Sequence, residues 1–396
     1  MRQNHKFGFC PTKFIEMLTH AYAQETTFYE ELQNHSSLDL RDSRGKFHDL
    51  PFILLGLIIG LLRHRDGNLS SIYRSMVNNH SKLCAALGVD IERVISRAHV
   101  PRILKKVNVD AFEQLLFGWF KIELSTQEKQ WFAGDGKELR GSIEKGANRG
   151  EVLVQLVRHE DGAVLEKAFY NGTKDSEKSC LQQLIEQSQA DSQKITADAL
   201  HLCPAMTEPI EEAGGIFIIG LKDNQKELLQ DMKDHVACFS PVKQKVTIEK
   251  GHGRLEKRSY FHYDVSEEYF DKRWAKTNFR SLFKVERNRI ELKTNKESKE
   301  ISFYISNGKA PEEHGYFDAI RNHWSVEVNH HIRDVSLKED QLRTKKNEIT
   351  TVMAGLRTIV VELFRQWNPQ NIVAQMELFQ DDFNELIFAL KRINFL

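Results

Sequence analysis

Cysteine is scarce and scattered. Five occur in 396 residues (Cys10, Cys84, Cys180, Cys203 and Cys238), an odd number with no CxxC pair. That argues against a disulfide framework and for a reducing compartment. Long apolar runs are also missing, apart from "PFILLGLIIGLL" (51–62). Twelve helical residues rise only about 18 Å, short of a bilayer core of about 30 Å, so this stretch predicts a buried helix and no membrane span. Gly56 and Gly60, four apart, leave room for a second helix against it. The opening "MRQNHKFGFC" has no apolar signal core, and a cytoplasmic location is expected. Net charge is absent as well: 56 Lys and Arg balance 56 Asp and Glu. Overall charge therefore does not point to nucleic acid. Local charge says more: residues 250–300 hold 14 basic against 9 acidic residues, and 93–106 hold five basic ones. Each run fits either a solvated face or a phosphate-tracking one.

What is present changes texture along the chain. Residues 1–125 lack strand alternation and predict an all-helical N-terminal domain, with helical periods over 69–89, 95–107 and "DAFEQLLFGWFKI". Near residue 129 strands begin. "KQWFAGDGKELRG" reads as a strand ending in a Gly-rich turn, and "EVLVQLVRHEDGAVLEKAFYNG" as two strands joined at Asp161-Gly162. A helix with Leu181, Leu184 and Ile185 on one face follows, then the short strand "KITADALH", a helix closed by Gly214-Gly215, and the strand "IFIIG". A meander followed by alternating units predicts an α/β fold, a mixed sheet with flanking helices. Residues 243–306 return to strands, and helix resumes at about 311 and again over 347–367. The expected division is 1–125, 126–368 with a β-rich insertion at 243–306, and an amphipathic helical extension at 369–396.

Three acids draw attention. Asp135 in "GDGK" and Asp198 in "TADAL" both sit at expected strand ends, where ligands tend to bind. If the two strands are neighbours, the carboxylates converge, and like charges then need a cation to stay ionised. Oxygen ligands suit Mg²⁺ or Mn²⁺. Either acid could instead cap the turn that follows it. Glu327, in "RNHWSVEVNHHIRD", is a lone carboxylate among histidines. On a helix packed against the sheet it would complete a two-metal site. A zinc site from His323, Glu327 and His331 is the competing reading, but three ligands in line along one helix close poorly around a tetrahedral ion. His323 and His331 then become groups that orient the ligands, or packed imidazoles, and Trp324 a core anchor.

Six segments, "GDGKELRGS", "TADALH", "GLKDNQ", "GHGRLEKR", "FYISN" and "NHWSVEVNHHIRDVSLKEDQLR", occur here in an order that resembles bacterial insertion-sequence DDE transposases of the H-repeat-associated group. The resemblance covers roughly residues 40–365. It implies an RNase H-like core with the acidic triad on Asp135, Asp198 and Glu327, Mg²⁺ or Mn²⁺ as cofactor, and residues 243–306 as an insertion before the last acid. Val328 and Ile332 depart from the Asn and aromatic residue usual after that acid, and His323 and Asp334 stand where the wider group has Arg and Lys.

The implied activity is hydrolysis at the ends of an element followed by attack of the freed 3′-OH on target DNA. Lys137 and Arg140, past the first Asp, and Lys222 and Asn224, in "LKDNQ", are candidates to hold the backbone. End recognition is expected from "SRAHVPRILKKVN", which would present Arg97, His99, Arg102 and Lys105 to a major groove. In the insertion, Arg254, Lys257, Arg258 and Arg280 could track phosphates. Expected partners are DNA, at element ends and target, and a second copy, because bringing two ends together needs a dimer. Two alternatives are a DNA-binding regulator that does not cut and a nuclease without strand transfer.

Overall fold

The structure, a computed structural model, describes residues 26–125, 127–171, 174–251, 253–265, 272–309, 315–344 and 348–396. The first 25 residues, Cys10 among them, which the sequence places in the helical region, lie outside the described residues. In chain order, helices α1 (Phe28–Asn34), α2 (Leu50–Arg63), α3 (Leu69–Asn78), α4 (His80–Leu87), α5 (Val100–Leu104) and α6 (Val109–Trp119) precede strand β1 (Trp131–Leu139). Next come β2 (Glu151–Arg158), β3 (Val164–Asn171), α7 (Lys174–Gln187), β4 (Lys194–Ala197), α8 (Pro204–Glu212), β5 (Ile216–Leu221) and α9 (Lys226–Cys238). Strands β6 (Lys243–Gly251), β7 (Arg254–Asp264), β8 (Ser281–Glu291) and β9 (Glu297–Ser306) follow. Helices α10 (Tyr316–Asn322), α11 (Trp324–His331), α12 (Glu348–Trp367), α13 (Ile372–Asp381) and α14 (Phe383–Lys391) complete the chain. These elements form two compact units. One holds residues up to Lys121, Leu139–Glu151 and His330–Leu396; the other holds Ile122–Glu138 and Val152–Asn329.

The helical unit is organised around α2. Asp49 caps it by accepting from the Phe52 N–H at 3.0 Å, and Pro51 occupies its first turn. The helix is apolar on every side and buried on every side, as its run predicted. A Cβ at Gly60 would stand 2.7 Å from the Ile72 carbonyl oxygen, and one at Gly56 2.5 Å from Met76, so α3 approaches α2 closely at the glycine pair. The last helices share this core. Val352, Leu356, Ile359, Met376, Phe383 and Leu390 cluster with residues of α1 to α6. Phe28 stacks on Phe395 at 4.4 Å, and buried Arg63 donates to the Phe379 and Gln380 carbonyls at 2.6 and 2.7 Å, at the C-terminal end of α13.

Two expected helices differ from their sequence patterns. The period over 69–89 is interrupted at Asn79, which ends α3 and starts α4. The period over 95–107 yields only the five residues of α5, with Pro101 in its first turn because a proline has no N–H to give further in. Arg97 and His99 precede the helical residues and Lys105 terminates them.

In the sheet unit, among the described residues, nine strands hydrogen-bond in the order β3-β2-β1-β4-β5-β9-β8-β7-β6. β4 pairs parallel with β1 on one side and with β5 on the other, β9 pairs antiparallel with β5, and β8, β7 and β6 continue antiparallel. The strands of 243–306 therefore extend the same sheet. The Asp161-Gly162 turn forms as expected, with Gly162 at φ +75°, a conformation glycine adopts readily. Side chains alternate across the sheet. Phe132, Ile195, Phe217 and Ile219 pack with α7, α8 and α9, while Ile218 meets Tyr316 and Phe317 of α10, and Ala133 meets Val326 of α11. The result is a mixed α/β sheet covered by helices on both faces.

Candidate active site

The parallel pairing of β1 with β4 runs from Trp131↔Lys194 to Gly134↔Ala197. Asp135 and Asp198 are the next residue on each strand, so the register itself brings them side by side. Asp198 ends its strand, as expected, and its Oδ1 accepts from the Leu200 N–H at 2.9 Å, capping the short turn 199–201. Asp135 does not end its strand: β1 continues to Leu139. The flanking glycines make no turn. A Cβ at Gly134 would lie 2.7 Å from Leu181, and one at Gly136 2.8 Å from Glu177 Oε1, so both admit the close approach of α7.

Ala133, two residues before Asp135 and thus on the same sheet face, packs against Val326. Glu327 follows in the first turn of α11 and is exposed. Burial, then the charges of Asp198, Glu177 and Glu327, push the Asp135 carboxyl up to about 7, against the Gly136 N–H that favours its charged form. Three carboxylates thus act on that of Asp135 at one end of the parallel strands. Glu177 and His201 are the members that sequence reasoning missed. One ligand atom each from Asp135, Glu177 and His201 lies within 4.8 Å of the other two. Tyr170 donates to Glu177 Oε2 at 2.8 Å. His201 is fully buried, and burial lowers its pKa to about 4. The signal for His201 was its place three residues after Asp198, which one tight turn converts into proximity. Glu177 gave no local signal.

His323 ends α10 and interrupts the expected continuous helix before α11 starts. Its Nδ1 lies 2.9 Å from the Thr196 hydroxyl, which is 2.8 Å from His159 Nε2. Thr196 has one proton, so at least one of these imidazoles donates to it. Burial holds His323 down to about 4 and His159 to about 3. His323 therefore packs against β4 two residues before Asp198. His331 is exposed at the end of α11, and the straight line of His323, Glu327 and His331 along one helix does not form. Trp324 is 40% exposed and is no core anchor; the helix break turns it outward, under the Arg321 guanidinium at 5.4 Å.

The basic candidates divide by exposure. Arg97, Arg102, Lys105, Arg140, Lys222 and Lys257 are exposed, and Arg254 is half-buried. Asn224 is exposed but donates from Nδ2 to the Ala199 carbonyl at 2.6 Å, tying its loop to the turn after Asp198. Lys137 lies within β1 and is only 6% exposed, because the strand outruns the acid. Arg258 is buried between Glu249 and Glu256 on the β6–β7 ribbon, an ion-paired position. Lys137 and Arg258 are thus withdrawn from the surface on which the sequence placed them.

Residues 128–363 match the family described as the transposase DDE domain. The chain is 26% identical over 277 residues to the "Putative transposase YncI" of Escherichia coli O157:H7, covering 67% of this chain and 70% of that one. It is 25% identical over 278 residues to the "H repeat-associated putative transposase YhhI" of Escherichia coli (strain K12), covering 67% and 71%.

Proposed function

The chain belongs to the transposase DDE-domain family, and from that premise we propose that it cuts phosphodiester bonds at the ends of an insertion sequence and joins the freed 3′-OH to target DNA. Asp135, Asp198 and Glu327 are the triad in this reading, and divalent ions, Mg²⁺ or Mn²⁺, are the cofactors. The observation that carries it is the register that sets Asp135 beside Asp198, with the Asp135 carboxyl pushed up to about 7 by burial first and then by the neighbouring carboxylates, Glu327 among them. Such a cluster of like charges is fitted to a cation and costly without one. When bound, two divalent ions activate the attacking oxygen and stabilise the leaving one.

The protein's own residues bind and orient. The three acids come from two strands and a helix, rigid elements that fix where the reacting phosphate must sit. The meander β3-β2-β1 followed by parallel β4 and β5 supports an RNase H-like core. Asn224 braces the Asp198 turn, and Thr196 with His323 braces the strand beneath it. Of the basic residues, Arg97, Arg102, Lys105, Arg140, Lys222, Arg254 and Lys257 offer side chains to DNA phosphates. A dimer would bring two element ends together, in the cytoplasm where bacterial DNA lies. The test is Mg²⁺-dependent nicking of a duplex carrying the inverted repeats that flank the gene. Wild-type protein nicks at the repeat end and joins that end to a target; Asp135→Asn and Glu327→Gln bind the duplex and do not nick. Nicking at the wild-type rate by either variant refutes the triad.

A further inference from the structure

We propose that Asp135, Glu177 and His201 form a mixed oxygen and nitrogen site for a divalent first-row transition ion, so that the centre at Asp135 prefers such an ion to Mg²⁺. The inference shares Asp135 with the triad and rests on that reading for this residue alone. It begins from His201. The side chain is fully buried, and neither ring nitrogen has a hydrogen-bond partner among the described residues. A buried polar ring in that state is costly unless something else engages it. Its Nε2 faces two carboxylates, 3.9 Å from Glu177 Oε1 and 3.8 Å from Asp198 Oδ1.

Those separations are too long for hydrogen bonds. They suit shared coordination: two atoms each about 2.1 Å from one ion stand roughly 3.0–4.2 Å apart, depending on the angle between them. The widest span in the trio is bounded by 4.8 Å, so closure asks that pair to shorten by no more than about 0.6 Å if it lies opposite across the ion and no more than about 1.8 Å if it lies at right angles. Glu177 is prepared for it. The Tyr170 hydroxyl engages Oε2, and Oε1 is the atom nearest His201. Gly136, lacking a Cβ, leaves the space in which that oxygen sits. The donor set then selects the ion. Mg²⁺ prefers oxygen and retains its waters, whereas an imidazole nitrogen beside carboxylates favours the first-row transition series.

Mn²⁺ is the probe. The full-length protein is titrated with Mn²⁺ in the presence of Mg²⁺, free Mn²⁺ is counted by EPR, and the bound ion is examined by pulsed EPR for ¹⁴N coupling. The expected result is at least about tenfold preference for Mn²⁺, with imidazole ¹⁴N coupled to it. His201→Asn should abolish the coupling and weaken Mn²⁺ binding at least about 10–100-fold, the loss typical of disturbing even a group behind a ligand. His323→Ala should keep the coupling. A bound ion without ¹⁴N coupling in the wild type overturns the proposal, and so does coupling that disappears in His323→Ala. If His201→Asn does not fold, the wild-type and His323→Ala spectra decide. Loss of Mg²⁺-dependent nicking in Asp198→Asn tests the triad separately. Nicking that needs Asp198 while no nitrogen reaches the ion would sink this site and leave the triad standing.

Discussion

The sheet unit pairs buried Arg258 with Glu256, but at Asp135 it handles charge in the opposite way to the helical unit. In the helical unit Arg333 is almost fully buried and makes a bidentate pair with buried Glu339 at 2.8 and 2.7 Å, with a further bond to Thr358 at 3.1 Å. Arg63 is matched to two carbonyls. In the sheet unit Asp135 and Glu177 crowd together with Asp198 beside a histidine whose nitrogens no hydrogen bond from the described residues satisfies. Opposite charges that satisfy each other hold a fold. Like charges collected at one point hold it worse, and have a use only when a cation or substrate arrives.

The largest expected effect breaks the comparison at the sheet. Asp198→Asn should lower DNA nicking by about 10³-fold or more, at least about 4 kcal/mol of barrier, while the urea midpoint of metal-free protein stays the same or rises. A clear drop in that midpoint would assign Asp198 to structure. Next, Glu339→Ala leaves Arg333 buried and unmatched, and should cost about 3–5 kcal/mol in urea unfolding. The double change Arg333→Met with Glu339→Leu should cost much less, since it removes both charges; equal losses would mean the pair matters through packing alone.

The glycines sharpen the contrast. Gly60→Ala meets the Ile72 backbone, which cannot step aside, and should cost about 1–3 kcal/mol, read as a lower Tm. Gly136→Ala meets only the far end of Glu177, so it should leave Tm nearly unchanged yet weaken Mn²⁺ binding. A Tm loss matching that of Gly60→Ala would show that α7 cannot yield there.

The smallest effect is in pH. Burial holds His159 to about 3 and His201 and His323 to about 4 in the fold, against roughly 6.5 unfolded. Each contributes stability that is present above pH 6.5 or so and lost as pH falls through its folded value. Asp135, raised to about 7, runs the other way: its contribution is present below roughly 3.9 and lost as pH rises to 7. Three groups outweigh one, so metal-free protein should lose stability on acidification from about 6.5 to 4. His159→Gln should reduce that slope by up to about 1.4 kcal/mol per pH unit. An unchanged slope would mean His159 is already protonated in the fold.

Much of this was legible from spacing. The buried α2, the glycine pair, the Asp161-Gly162 turn and the strand and helix order of the sheet all follow from local periodicity and turn chemistry. The errors arose where a distant neighbour overruled a local pattern. "GDG" looks like a turn, but α7 uses the missing side chains and the strand runs on, burying Lys137. His323 to His331 looks like one helical face, but Thr196 and His159 engage His323 where α10 ends. Arg258 looks like a phosphate ligand, but Glu249 on the neighbouring strand and Glu256 on its own strand claim it.

The sequence by itself determined which residues could carry charge to the site and the order in which strands and helices would deliver them, since both depend on residue identity and short-range geometry. Only the tertiary structure decided that Asp135 and Asp198 share a register, that Glu177 joins them from α7, and that His201 is buried against them with no hydrogen bond from the described residues to its nitrogens. The physical reason is that convergence is a property of packed elements: strand pairing and helix approach set distances between residues far apart in the chain, and no local pattern encodes those distances.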